Sequence, residues 1–193
     1  MLISSISDSV SQTNPIDIFP WDDNFNTGLA KVDEQHRRLV QLLNAIASHI
    51  AFRSDIPQLN EIFDELSDYA IYHFQTEEAI WHEFFDDDIS KVEHRNTHAS
   101  FVEQVARLKD CQVSKSKSQI VEGALDFLVR WLASHILESD RYMAYTVLAM
   151  KDGLTLNEAK LRAKEQMGGT NRCYLNDLLH TFRQYVTLDA GAC

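Results

Sequence analysis

Proline and glycine are scarce, with 3 and 6 in 193 residues. That scarcity argues against a turn-rich β-fold and for long helices. Cysteine is scarce too: Cys111, Cys173 and Cys193 are odd in number and widely spaced, and no CxxC occurs. Neither a disulfide framework nor a thiolate metal site is expected, and the three read as reduced thiols. No Lys or Arg precedes Lys31, so the basic start of a secretory signal is missing. No apolar run approaches the roughly 18 residues of a membrane span. The expectation is a cytoplasmic chain with no membrane segment. Basic residues are outnumbered 18 to 29, for a formal net charge of −11. A phosphate backbone would be repelled by such a surface, so nucleic acid is not an expected partner.

What is present is an ordinary globular composition, 45% hydrophobic and 24% charged. Apolar residues recur at helical period in four stretches. The first, over about 32–53, carries Leu39, Leu42, Leu43, Ile46 and Ile50, with His36 at the stripe's edge. Ser54, Asp55 and Pro57 then mark a turn and a new start. The second, over about 57–85, carries Ile62, Leu66, Tyr69, His73, Glu77, Ile80 and Phe84. The third, over about 90–112, carries His94, His98, Phe101, Val102, Val105 and Leu108. The fourth, over about 118–149, carries Ala124, Leu128, Trp131 and His135, and resumes at Asp140, Met143, Ala144 and Val147. The predicted fold is all-α: an up-down-up-down four-helix bundle over 19–149, an N-terminal arm over 1–18 and a helical tail or linker over 150–193. Phe19-Pro20-Trp21 reads as an apolar plug docked on the bundle. In the tail, Thr155 and Glu158 form a capping-box pattern. Leu175, Leu178, Leu179, Phe182 and Val186 make a second amphipathic stripe, and the tail needs an apolar partner: the bundle, another copy of the chain or a further domain.

The polar residues within those stripes carry the chemistry. They are His36, His73, Glu77, His94, His98, His135 and Asp140. Pairs at i,i+4 share one helix face. A lone histidine at a core position is usually a satisfied core residue. Five, with two carboxylates and in register with four apolar stripes, are not explained that way. Seven donors exceed one tetrahedral zinc and suit two transition-metal ions inside a bundle. Buried carboxylates and imidazoles are costly unless compensated, and two divalent ions compensate them. The step from His135 to Asp140 is five residues, which on a regular α-helix leaves the two about 140° apart. Either the two ligands flank the centre of the bundle, or a π-bulge absorbs the extra residue. His49, His82 and His180 fit no ligand spacing and are expected at the surface or behind the ligands. Asp86 to Asp88 lacks EF-hand spacing and reads as a solvated loop.

These stretches resemble the hemerythrin family, specifically its bacterial hemerythrin-like domains. The matching segments are Val32-Asp33-Glu34-Gln35-His36-Arg37-Arg38-Leu39, His73-Phe74-Gln75-Thr76-Glu77-Glu78, His94-Arg95-Asn96-Thr97-His98 followed by Phe101, and His135-Ile136-Leu137-Glu138-Ser139-Asp140. Trp21 matches an aromatic that precedes the first helix in the family. The resemblance covers roughly residues 19–148. It implies a non-haem centre of two iron ions, Fe2+ or Fe3+, joined by an oxo or hydroxo group. His94, His98 and His135 would hold one ion, and His36 and His73 the other, which keeps an open position. Glu77 and Asp140 would bridge both. Dioxygen, or a small anion such as azide, would bind at the open ion. Trp81 departs from the Leu or Met common near that position in the family, and is expected to narrow the pocket at the open iron.

The resemblance implies an O2-carrying or O2/redox-sensing domain, not an enzyme, with a di-iron peroxidase, oxidase or NO-handling enzyme as the alternative. Such domains are often joined to signalling outputs. The tail is therefore expected to lead to an output domain or to pair two copies of the chain as a homodimer.

Overall fold

The computed structural model describes residues 17–51, 56–85, 88–110 and 117–168, together with His180. The N-terminal arm up to residue 16, Asp86, Asp87, the three cysteines and the expected stripe from Leu175 to Val186 lie outside the described residues. A 3-10 turn, Asp23–Phe25, precedes α1 (Ala30–Ala51), α2 (Ile56–Phe85), α3 (Ile89–Asp110) and α4 (Lys117–Ser134). A π-helical segment, His135–Asp140, links α4 to α5 (Arg141–Lys151), and α6 (Leu156–Gln166) follows. There is no strand among the described residues.

α4, the π-segment and α5 run on as one arm, so the body has four arms. α1 packs on α2, α2 on α3, α3 on α4, and α4 back on α1. This ring is an all-α bundle. Its short connections, such as residues 52–55 between α1 and α2, suit antiparallel neighbours.

α1 begins two residues earlier than its apolar stripe suggests. The Asp33 carboxylate reaches back to accept from Thr27 N (2.6 Å), Thr27 Oγ1 (2.7 Å) and Gly28 N (3.2 Å). That turn needs glycine at position 28, where φ is +91° and an added Cβ would lie 3.1 Å from Leu148 Cδ1. The preceding segment docks as expected. Phe19 is fully buried, and its backbone N–H donates to Asn44 Oδ1 at 3.0 Å. Trp21 lies against Phe25 beneath the Arg37 guanidinium.

Leu39, Leu43, Ile46, Leu66, Phe101, Val105 and Leu128 meet in the main core. Beyond Glu77 the buried face of α2 departs from the expected stripe. Trp81 and Phe85 are buried, while Ile80 and Phe84 are only partly covered. Steps of four from His73 keep one face of the helix inward. At that end α2 meets Met143 and Val147 of α5, with Leu156 of α6 alongside. α6 begins with a capping box between Thr155 and Glu158. It lays Ala159 and Ala163, both fully buried, against α5. Gly153 makes the preceding turn with φ +97°.

Candidate metal centre

Each arm delivers its share of the seven side chains to the middle of the bundle. His36 comes from α1, His73 and Glu77 from α2, His94 and His98 from α3, and His135 and Asp140 from the π-segment. All seven are buried, with His36, His73, Glu77 and Asp140 fully so. Of the two ways open to the five-residue step on the fourth arm, the structure takes the π-turn. In π-helical winding, i→i+5 hydrogen bonding makes five residues about one turn, so His135 and Asp140 face the same interior.

The donors form two groups. Glu77, His94, His98 and His135 bring ligand atoms within 4.8 Å of one another, as do His36, His73, Glu77 and Asp140. The carboxylates join them. Glu77 turns Oε1 toward His36 Nε2 (3.9 Å) and His73 Nε2 (3.5 Å). Its Oε2 faces His94, His98 and His135 Nε2 at 3.3, 3.2 and 3.5 Å. Asp140 does the same, with Oδ2 3.1 Å from His36 Nε2 and Oδ1 3.2 Å from His135 Nε2. Each carboxylate thus offers one oxygen to each imidazole group.

The outer nitrogens of three imidazoles are held from behind. His73 Nδ1 lies 3.2 Å from Gln35 Oε1, His94 Nδ1 2.7 Å from Ser139 Oγ, and His98 Nδ1 3.4 Å from Glu78 Oε1. Flat faces restrain the rings further. Phe74 stacks on His98 at 3.8 Å and Trp131 on His135 at 4.3 Å.

Burial pushes the His36 imidazole down to about 4, against the pull of Glu77 and Asp33. It pushes His73 down to about 3, against Glu77. Both are therefore neutral at pH 7, the form that ligates a metal. Burial also opposes charge on His94, but the hydrogen bond and charge of Glu77, with the charges of Asp140 and Glu78, outweigh it and raise that pKa. Two carboxylates this close do not both ionise readily without a cation. Burial and the neighbouring Glu77 raise Asp140 well above the carboxylate range. Burial would raise Glu77 too, but His73 and hydrogen bonds from His135, His94 and His98 pull it well below that range.

The arrangement fits a metal pair. His36 Nε2, His73 Nε2, Glu77 Oε1 and both Asp140 oxygens are buried without a hydrogen-bond partner, an unfavourable state that coordination would relieve. Beside the donors lies a small apolar cavity of about 10 Å3, room for about one water-sized guest. Leu39, Ala70, Phe74 and Trp131 are among its walls. Leu39 and Ala70 lie one turn from His36 and His73, and Phe74 and Trp131 are the rings stacked on His98 and His135.

Trp81 does not take the place expected for it. Its ring packs on Phe85 at 4.0 Å and on His94 at 5.1 Å, toward α6, and Trp131 is the tryptophan that lines the cavity. The i+4 step from Glu77 carries Trp81 onto the three-imidazole side, past the layer of His36 and His73. His49, His82 and His180 belong to neither donor group. Gln35, Ser139 and Glu78 were not singled out from the sequence. Their only signal was adjacency to a ligand candidate, which does not say which imidazole each one reaches.

The family described as Hemerythrin HHE cation binding domain matches residues 27–146. A bacteriohemerythrin of Stenotrophomonas maltophilia is 32% identical over 132 residues, covering 67% of this chain and 81% of that protein. One from Clostridium acetobutylicum is 29% identical over 133 residues, covering 64% and 97%. A hemerythrin-like protein of Naegleria gruberi is 31% identical over 123 residues, covering 63% and 87%.

Proposed function

The chain belongs to the hemerythrin family, and from that premise we propose that its buried centre holds two iron ions and binds dioxygen reversibly. His94, His98 and His135 hold one ion and His36 and His73 the other. Glu77 and Asp140 bridge the pair, beside an oxo or hydroxo group. The observation that carries this reading is the division of each carboxylate's two oxygens between the two imidazole groups. Three imidazoles against two leave the open position on the His36–His73 side. When bound, a ferrous pair held by these seven side chains would supply the two electrons for reversible O2 binding.

The protein's own side chains make that exchange reversible. Five neutral imidazoles favour the ferrous state relative to an anionic donor set. Leu39, Phe74 and Trp131 wall an apolar space that suits a small uncharged gas and excludes bulk water. The cavity lining contains no acid or base to serve a substrate, which favours binding over turnover. Small anions such as azide would compete for the same open position.

The domain we propose spans residues 19–149 of a cytoplasmic chain. Its role is O2 or redox sensing in preference to carriage alone, with the tail leading to an output domain or to a second copy. Support comes from the path of the chain: α5 starts at the residue after Asp140 and carries α6 on its flank. No helix of the described residues is long and apolar enough to cross a membrane.

The decisive test is iron content with an anaerobic O2 titration followed by visible absorption. About two irons per chain and a reversible charge-transfer band are expected. Immediate oxidation to a stable diferric form would point to a redox sensor or an enzyme instead. No iron, or zinc alone, would overturn the reading.

A further inference from the structure

We propose that Thr76, acting through Gln35, sets the tautomer of His73 and thereby aims the Nε2 lone pair of His73 into the metal centre. Only the last step, toward a metal, rests on the di-iron reading.

The argument starts at a helix carbonyl. The Thr76 hydroxyl donates to the backbone carbonyl of Tyr72, one turn earlier on α2, at 3.2 Å, the i−4 bond to which threonine is suited. Its one hydrogen is thereby committed, so Oγ1 meets Gln35 only as an acceptor. Gln35 Nε2 donates to it at 3.0 Å. This fixes the Gln35 amide, which is buried between α1 and α2, with Oε1 turned toward His73 Nδ1 at 3.2 Å. A carbonyl oxygen cannot donate, so the Nδ1 of His73 carries the hydrogen. Nε2 is left as a bare lone pair 3.5 Å from Glu77 Oε1, with no hydrogen-bond partner.

The reversed amide would present N–H to His73 Nδ1 and put the ring hydrogen on Nε2, where it would block a ligand atom. That state requires the Thr76 hydroxyl to leave the Tyr72 carbonyl. Neither of the other anchored rings uses such a relay. The Ser139 hydroxyl beside His94 can either donate or accept, and Glu78 beside His98 can only accept when ionised. Thr76 belongs to neither donor group and is only half-buried, so it tolerates substitution better than the residues it acts through. It is a positioning residue.

The test reads tautomers directly, by long-range 1H–15N NMR of the imidazoles in metal-free full-length protein at neutral pH. Wild type and Thr76→Ser should show His73 wholly as the Nδ1–H form. Thr76→Val frees the amide and should give a mixture with the Nε2–H form. Adding Gln35→Glu to Thr76→Val should restore Nδ1–H, because a carboxylate only accepts. Ferrous affinity at the weaker-binding ion should fall about tenfold in Thr76→Val, the scale typical when a metal ligand loses its outer hydrogen-bond support. A wild-type Nε2–H tautomer, or a Thr76→Val variant with His73 still wholly Nδ1–H, overturns the relay whatever the affinities. If tautomers respond as stated but wild type takes up no iron, the relay stands and the di-iron reading falls.

Discussion

His36 and His73 resist protonation in the folded chain down to about pH 4 and about pH 3, because burial penalises their charge, whereas an ordinary imidazole protonates near 6.5. The sign of the consequence follows from linkage. Above pH 6.5 both are neutral whether the chain is folded or not. As pH falls below 6.5, the unfolded chain takes up protons that the folded chain refuses. Metal-free protein should therefore lose stability from pH 6.5 down to about 3, by an amount on the order of several kcal/mol. The raised pKa values of His94 and Asp140 act with the opposite sign, so denaturant midpoints at pH 7.5, 5.5 and 4.5 are compared between wild type and His73→Phe, and equal pH dependence in the two would contradict the burial of that ring. The cavity offers a second prediction. Ala70 is buried in its wall, and Ala70→Leu should fill it at a cost of about 1–3 kcal/mol in stability from overpacking. Iron content should stay near two per chain while O2 association slows, as flash photolysis or stopped flow would record. Unchanged association would remove this cavity from the O2 route.

At the scale of one element, the π-segment reconciles two demands on the fourth arm. Ile136 and Leu137 must stay in the core, and both are fully buried, while His135 and Asp140 must both face the metal centre. Glu138 is the exposed residue of that turn. Deleting it should convert the turn to regular α-helix and bring the ligands to i,i+4, still on one face. Iron uptake should survive, with stability changed by less than about 2 kcal/mol. Deleting Arg130 from regular α4 should instead rotate the upstream core face by about 100° and abolish a cooperative melt. Loss of iron in the Glu138 deletion would mean that the bulge does more than take up a residue. Asp33 and Gly28 show a related economy, since one carboxylate and one positive-φ glycine set where α1 begins.

For the whole molecule the question is what α6 does at the end of the bundle. It lies on α5 through Ala159 and Ala163, and Lys160 pairs with Asp88 at the start of α3. Hydrogen bonds from Lys160 and from Ser90 hold Asp88 down to about 2, below its ordinary 3.8. The pair's contribution is thus present above pH 3.8 and disappears as pH falls through about 2. The pair is partly buried, with its side chains 21% and 18% exposed, and with solvent screening it is worth about 1 kcal/mol. Ala163→Leu should force α6 off α5 and expose it to limited proteolysis, while leaving about two irons bound. If the domain senses redox state, protection of α6 should also differ between diferrous and diferric protein. Equal protection in both states would favour a carrier.

The helical class, the four arms and the identity of the polar core residues were legible in the sequence, because helical periodicity and i,i+4 spacing are local properties of the chain. The five-residue step from His135 to Asp140 marked an irregularity there, but spacing alone left open whether the two ligands flank the centre or a π-turn winds the extra residue in, and the fold takes the second. Only the tertiary structure decided the rest. Trp81 faces the three-imidazole side because a helix's inward face is selected by whatever packs against it, here Met143, Val147 and α6. Gln35 and Thr76 lie 41 residues apart in sequence, and only the packing of α1 on α2 makes them neighbours. The division of each carboxylate between two imidazole groups was implied by the family resemblance but not by spacing. Spacing along one helix names the donors, but the oxygens are apportioned by helices that meet only in the folded bundle.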